Sequence, residues 1–407
     1  MNLEKYIYAC ALRTHECEVR LMSENKITKA IVNCQIVLEQ GILWDAVLLL
    51  SDDKIAGYGP ARDIEAPSGA EIIDANGKYV GPGLVDIHVH GGGGTDTYID
   101  PQTAENHFLR HGETTILATP PYELTKDGFL SAIRTVKEYL PKAKTIKGFN
   151  FEGPYTNPNY GSHSYANPWR KPISEDDFKP IVDEAGELAV IWSIAPELEG
   201  LTPFLEYARK VNPKTIFSVG HSEATPAQIR ALGKYKPHLT THTMNAMGRR
   251  DVYGGTRSYG PDEYILKESD VYAEVISDSM AIHVRPEMQR FILAGKGIDK
   301  MILITDSTYY ENDPPEQFKH IDDLNFDERG GLSGSKMTLE QACRNIMAHT
   351  QCGICEAFLM ASRNPARLIG LGDEIGTIEI GKTADLIIVD DRFNIDTVIL
   401  KGEVCKF

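Results

Sequence analysis

Apolar and polar positions follow two different patterns along the chain. Between residues 27 and 80 the stretches KAIVNCQIVL, DAVLLLSDDKIAGYG and AEIIDANGKYVGPG are punctuated by Gly, Asp and Asn and lack a helical period; such runs predict strands joined by turns. The same texture returns at the other end in IGTIEIGKTADLIIVDD and TVILKGEVCKF. A small β-sandwich built from both termini is expected, with the middle of the chain inserted between its halves.

From Leu84 onward, apolar strand and amphipathic helix alternate. LVDIHVH, TTILATP, IKGFNFEG, LAVIWSIAPE, TIFSVGHS, HLTTHTMN, VYAEVISD and MILITDS read as strands. Between most of them lie segments such as DGFLSAIRTVKEYL, LTPFLEYARKV, TPAQIRALGKY and RPEMQRFILAG, with apolar residues three and four apart. Eight such units predict an α/β fold, a (β/α)8 TIM barrel, whose usual size is about 250 residues. The expected division is 1–80 for an N-terminal extension and the first part of the sandwich, 81–374 for the barrel, and 375–407 for the second part of the sandwich. No Gly-x-Gly-x-x-Gly opens a helix after a strand, which disfavours a dinucleotide-binding fold.

The barrel begins at GPGLVDIHVHGGGG, Gly81 to Gly94. Strand alternation would put Asp86, His88 and His90 on one face and Val85, Ile87 and Val89 on the other. Two imidazoles on one face, about 7 Å apart along the strand, can converge on one metal ion. The glycines that follow let the backbone turn tightly and approach a bound group.

In such a barrel, reactive residues lie at the carboxyl ends of several strands. His88 and His90 end the first strand, Glu152 the third, His221 the fifth, His242 the sixth and Asp306 the eighth. Structural histidines would have no reason to choose strand ends. His15, His107, His111, His320 and His349 fall on expected loops or helix faces and read as ordinary, and His238 begins the sixth strand at the end away from the chemistry.

Hydrolysis of an amide needs an activated water, a polarised carbonyl and a proton donor for the amine that leaves. A divalent metal held by imidazoles and a carboxylate supplies the first two, lowering the pKa of water toward about 7. Glu152, His221 and His242 offer three ligands and an open position, His88 and His90 could hold a second metal with Glu152 bridging, and Asp306 is the expected general base and acid. One or two divalent ions per chain are expected. Zinc leads, with iron, manganese and cobalt also suited to such ligands.

Composition narrows the partners. A net charge of -16 over 407 residues and a pI near 5.2 argue against nucleic acid and anionic membranes, both of which need a basic face. An anionic substrate would need its own local cations. The opening residues carry scattered charges and no apolar run of signal-peptide length, so a cytoplasmic location is expected. Seven cysteines are few and odd in number. The Cys352-x-x-Cys355 pair has neither a second pair nor a redox context and reads as non-functional.

Taken together, GPGLVDIHVHG, FEGPY, GHSEAT, THTMNAM, LITD, GGLSGS, NPARLIGL and IGTIEIGKTADLIIVD resemble the amidohydrolase superfamily, and within it the N-acetylglucosamine-6-phosphate deacetylase family. The resemblance runs from about residue 27 to the end. It implies a metal-dependent barrel with a two-ended β-sandwich, usually a homodimer, that removes acetate from an amino sugar, phosphorylated in the family's usual substrate. By that resemblance Glu152, His221 and His242 are similar to metal ligands and Asp306 to the catalytic acid/base, while His88 and His90 resemble the pair in members with a second metal. His163, Asn245, Ala246 and His283 are similar to substrate-binding residues.

Departures cluster around the sugar and phosphate contacts. The link from NAM to a phosphate-binding arginine is the longer GRRDVYGGTRSYG, with Arg257 the first choice and Arg249 and Arg250 its rivals. The family's DGxHV is replaced by DSMAIHV, and STYYEND follows the eighth strand. The competing reading is another amidohydrolase acting on an N-acyl amino acid or cyclic amide. Many cyclic-amide hydrolases bridge two metals with a carboxylated lysine, where this chain offers Glu152. An inactive scaffold should have lost ligands, and none is missing.

Overall fold

The computed structural model describes residues 26–248, 259–309 and 312–407. Eight parallel strands run Leu84–Val89, Glu113–Ala118, Ile146–Phe151, Ala189–Ile194, Ile216–Val219, Leu239–Thr240, Tyr272–Ile276 and Met301–Ile304, each paired with its neighbour in sequence order. They correspond one for one with the expected strands. A helix follows each strand: Pro101–Arg110, Lys126–Tyr139, Glu175–Ala185, Leu201–Val211, Pro226–Ala231, Pro261–Lys267, Pro286–Lys296 and Leu339–Thr350. Side-chain caps fix several starts, as where Asp100 accepts from the Thr103 amide and Thr125 from that of Gly128.

Closure between the eighth strand and the first is made by single contacts. The Asp306 amide donates to the His88 carbonyl (3.0 Å) and the His90 amide to the Ser307 carbonyl (2.9 Å). The Asp86 carboxyl accepts from the Thr305 amide at 3.2 Å and hydroxyl at 2.6 Å. Burial pushes Asp86 up to about 7, against the hydrogen bonds it receives from Thr305 and the His88 amide.

Strict alternation fails in the first strand. Its pairing with the second slips between Asp86 and Val89, the signature of a bulge. Val85 and Ile87 pack with Ile191, Ile216, Leu239, Ile302 and Ile304 at the barrel's centre, yet His88 also reaches inward. Asp86, expected on the imidazole face, is turned away to Thr305. The bulge, not the strand period, brings His88 in.

Strands from both ends of the chain form one separate sheet. Lys29–Leu38, Gly41–Ser51, Lys54–Pro60, Glu71–Asp74 and Tyr79–Pro82 join Leu386–Val389, Ile395–Leu400 and Glu403–Val404 through the antiparallel pairing of Val80 with Ile388. Ile31, Ile36, Leu48, Leu50, Leu386, Ile388 and Ile399 share its core. Gly81 lies where the sheet crosses the helix Ile354–Phe358: a Cβ there would meet the Phe358 ring at 2.2 Å. Among the described residues no helix is long and apolar enough to cross a membrane.

An aromatic layer packs outside the third and fourth strands. Phe149 and Phe151 face the helices, Phe151 stacks on Trp192 at a centroid distance of 4.2 Å, and Phe129, Phe178, Phe204 and Trp169 complete the layer. Alternation then turns Asn150 and Glu152 inward. Below them, fully buried Glu105 organises the start of the third strand. Its Oε1 accepts from the amides of Lys144 (2.7 Å), Thr145 (2.6 Å) and Ile146 (3.1 Å), and its Oε2 from the Tyr139 hydroxyl (2.6 Å). Glu105→Ala would strand these donors and should lower the unfolding free energy by about 2–4 kcal/mol. The expected readout is a lower urea midpoint at constant m-value.

Candidate metal centre

The strand-end residues converge on one mouth. Glu152 Oε1 lies 2.7 Å from His221 Nε2 and 3.0 Å from His242 Nε2, and those two nitrogens are 3.0 Å apart. Glu152 Oε2 is 3.4 Å from His90 Nε2, and Oε1 is 3.8 Å from His88 Nε2. Asp306 Oδ1 lies 3.1 Å from His90 Nε2 and 3.4 Å from His88 Nε2. Two groups have the spacing to hold a metal ion, His88 with His90 and Glu152, and Glu152 with His221 and His242; the Glu152 carboxylate belongs to both.

Left-handed backbone aims several of these side chains. His221 (φ 43°), His242 (φ 29°) and Asp306 (φ 49°) are non-glycine residues at positive φ, a conformation that costs about 1–3 kcal/mol and is concentrated at functional sites. Ile216 and Leu239 belong to the central cluster. By strict alternation from them, His221 and His242 would point outward, and the left-handed turns bring them back. The Asp306 backbone is clamped from a second side as well, since the Ser335 amide donates to its carbonyl at 2.9 Å.

Three of the far ring nitrogens have partners of their own. His88 Nδ1 lies 3.1 Å from Glu274 Oε2, His90 Nδ1 2.9 Å from the Thr119 carbonyl, and His242 Nδ1 3.1 Å from the Asn245 carbonyl. These contacts leave each Nε2 as the converging atom. Gly161 (φ 93°) packs flat on His221: a Cβ there would sit 2.7 Å from the ring and 2.4 Å from the Tyr122 hydroxyl.

Electrostatics suit a cation. Burial disfavours a charged imidazole, yet Asp306 and Glu152 hold His90 well above its ordinary value, and Glu152 raises His242 to about 9. Burial likewise opposes ionisation of Asp306 and Glu152, but the imidazoles around them keep both carboxyls below the usual range. His88 Nε2 is buried and makes no hydrogen bond among the described residues. Converging imidazole nitrogens around shared carboxylate oxygens, one of them orphaned, fit a divalent ion.

A cavity of about 320 Å³ opens over this centre, lined by His90, Tyr122, Glu152, His221, His242, Asn245, Ala246 and Asp306 with Ser162, Asp327 and Ser333 at its rim. His88 lies buried beneath it. The expected substrate residues are thus only partly gathered. Asn245 and Ala246 line the cavity, whereas His163 does not: its Nδ1 is 3.5 Å from Glu123 and its Nε2 3.1 Å from Glu328. His283 is buried, its backbone amide and Nδ1 bound to Asp278 (2.9 and 3.0 Å), its Nε2 without a hydrogen-bond partner among the described residues and the Asn245 side-chain amide 3.4 Å from its carbonyl. The inserted residues of DSMAIHV leave that Asp–His pair closed. Arg249, Arg250 and Arg257 lie outside the described residues.

Sequence patterning missed Glu274, Tyr122 and Gly161. Only Glu274 left a signal, a carboxyl in the middle of the apolar strand YAEVI.

Comparison with known proteins agrees with this geometry. The chain is 27% identical over 394 residues to an N-acetylglucosamine-6-phosphate deacetylase of Haemophilus influenzae, covering 92% of this chain and 98% of that protein. It is 26% identical to an N-acetylgalactosamine-6-phosphate deacetylase of Escherichia coli O157:H7, covering 92% and 98%. The crystal structure of N-acetylglucosamine-6-phosphate deacetylase from Pasteurella multocida superposes with a TM-score of 0.80 at 27% identity, over 93% of this chain and all of that one. Residues 79–405 match the amidohydrolase family, and with its barrel and candidate metal ligands in place the chain belongs to that family.

Proposed function

We propose that this chain is a metal-dependent amide hydrolase that removes acetate from N-acetylglucosamine 6-phosphate or a close N-acetyl amino sugar. The observation that carries the reading is the convergence of Glu152, His221, His242, His88, His90 and Asp306 under one cavity, and the names of the relatives support the substrate class. Glu152, His221 and His242 would hold one divalent ion, and His88, His90 and Glu152 a second. Such an ion polarises the amide carbonyl and makes a water acidic enough to attack at neutral pH. Zinc is the proposed ion, over iron, manganese and cobalt. A homodimer accompanies the reading on family resemblance, and the cytoplasmic location expected from the sequence is kept with it.

Asp306 performs the proton transfers. Held ionised by the neighbouring imidazoles, it takes a proton from the attacking water and delivers it to the nitrogen as the tetrahedral species collapses. Asn245 and Ala246 shape the wall that receives the sugar. His283, oriented by Asp278, turns its unpartnered Nε2 to substrate, while His163 acts at the rim together with Glu123 and Glu328. Arg257 is the proposed phosphate contact, because a dianion approaching an acidic protein needs concentrated counter-charge and the guanidinium fork fits phosphate oxygens.

Asp306→Asn keeps shape and one acceptor but cannot carry a proton. It should retain metal and fold while kcat falls by at least roughly 10²- to 10⁴-fold; activity within a few-fold of wild type would give the proton transfer to another group. Elemental analysis should find one tightly bound divalent ion, rising to two per chain in excess metal. His242→Ala should abolish binding at its group and activity, and His88→Ala should mainly reduce the second equivalent. Active protein free of transition metal would overturn the reading. Acetate release measured across N-acetylglucosamine, its 6-phosphate, N-acetylgalactosamine 6-phosphate and several N-acyl amino acids should favour a phosphorylated sugar. Preference for the amino acids would move the chain to the competing amidohydrolase reading.

A further inference from the structure

Glu274 stands at the centre of the seventh strand, wholly buried, on a strand otherwise made of Tyr, Ala, Val and Ile. A buried carboxyl is costly unless paired and hydrogen-bonded. Among the described residues its only ion-pair partner is His88, through Oε2 and Nδ1 at 3.1 Å. The same Oε2 accepts from the His242 amide at 3.1 Å, and Oε1 has no hydrogen-bond partner among the described residues. No lysine or arginine pairs with it among the described residues. Packing alone would be better served by an apolar residue here.

We infer that Glu274 is a positioning residue for the metal centre, fixing His88 in the tautomer that offers Nε2 to the ion held with His90 and Glu152. The inference rests on the proposed metal-dependent reading and deepens it. An imidazole with its proton on Nδ1 has its lone pair on Nε2, and an acceptor facing Nδ1 selects that form. A carboxyl acceptor also raises the basicity of the opposite nitrogen, an arrangement worth 10- to 100-fold in metal affinity where it has been removed from other sites. Glu274 does more than orient one ring. By receiving the His242 amide it ties the backbone of one candidate group to the ring of the other, so the two groups share a support as well as the Glu152 carboxylate.

In Glu274→Gln an amide oxygen in the place of Oε2 can still accept from both the His242 amide and His88 Nδ1 while the charge facing His88 is lost; Glu274→Leu, titrated beside it in the same way, removes the acceptor too. Apoproteins of wild type, Glu274→Gln, His88→Ala and the double variant would be titrated with zinc against a chromogenic chelator, and thermal unfolding of each apoprotein recorded. The expected result is a 10- to 100-fold weaker second equivalent in Glu274→Gln, with the first equivalent and the apoprotein melting temperature little changed. In the His88→Ala background, adding Glu274→Gln should then change zinc affinity less than about twofold, since a residue acting through His88 has nothing left to act on. Equal losses with and without His88, or a loss matched by destabilised apoprotein, would reduce Glu274 to a structural role and overturn the inference. So would affinity for the second equivalent unchanged in both Glu274→Gln and Glu274→Leu. Wild-type protein that takes up no zinc would instead overturn the metal-dependent reading, a distinct outcome.

Discussion

The structure depends on a single shared carboxylate. Glu152 lies within 4 Å of four imidazole nitrogens drawn from three strands, in a site almost closed to water. Burying a carboxylate is expensive unless positive charge and hydrogen-bond donors surround it, and four converging imidazoles satisfy that demand only if all of them are aimed. Asp306 repeats the arrangement on the other side, within 3.4 Å of His88 and His90. The centre is therefore a cooperative unit in which each side chain is tolerable because of the others, and a divalent cation adds the charge that such a set calls for.

The rest of the barrel keeps Glu152 from moving. Directly behind it Phe151 stacks on Trp192, with Phe149, Phe129 and Phe204 packed around them. Close-packed aromatic layers transmit displacement rather than absorb it. Across the barrel, the single bonds that join Asp306 to His88 and His90 to Ser307 make the closure of the fold and the geometry of the site one feature. Left-handed backbone at His221, His242 and Asp306 adds conformational cost at the mouth, offset by the packing beneath it. The two-ended sheet completes the frame, because the chain enters the first barrel strand straight from the strand Tyr79–Pro82, already paired with Leu386–Val389.

Sequence and structure part company at the rim. The segment carrying His163 is laced to the hairpin after the eighth strand: the Asp327 carboxyl accepts from the His163 amide at 3.3 Å, the Tyr165 hydroxyl donates to Glu328 at 2.8 Å, and Ser333 meets Ser162 at 2.9 Å. STYYEND, one of the departures from the family's motifs, lies between the eighth strand and this hairpin.

The sequence by itself determined the architecture and the set of candidate metal-site residues at the strand ends. Period-two runs followed by helical periods are local properties of the chain, so eight strands and their carboxyl ends were legible, and alternation past Phe149 and Phe151 placed Glu152 inside without further help. The tertiary structure alone decided how the histidines are aimed. A bulge turned His88 inward and Asp86 away, and left-handed residues reversed the directions that alternation assigned to His221 and His242. The reason is physical: strand period holds only while the backbone stays regular, and where it breaks, the direction a side chain takes is chosen by what the far wall of the barrel offers. For His88 that wall is Glu274, 186 residues away in sequence, and no local pattern connects the two.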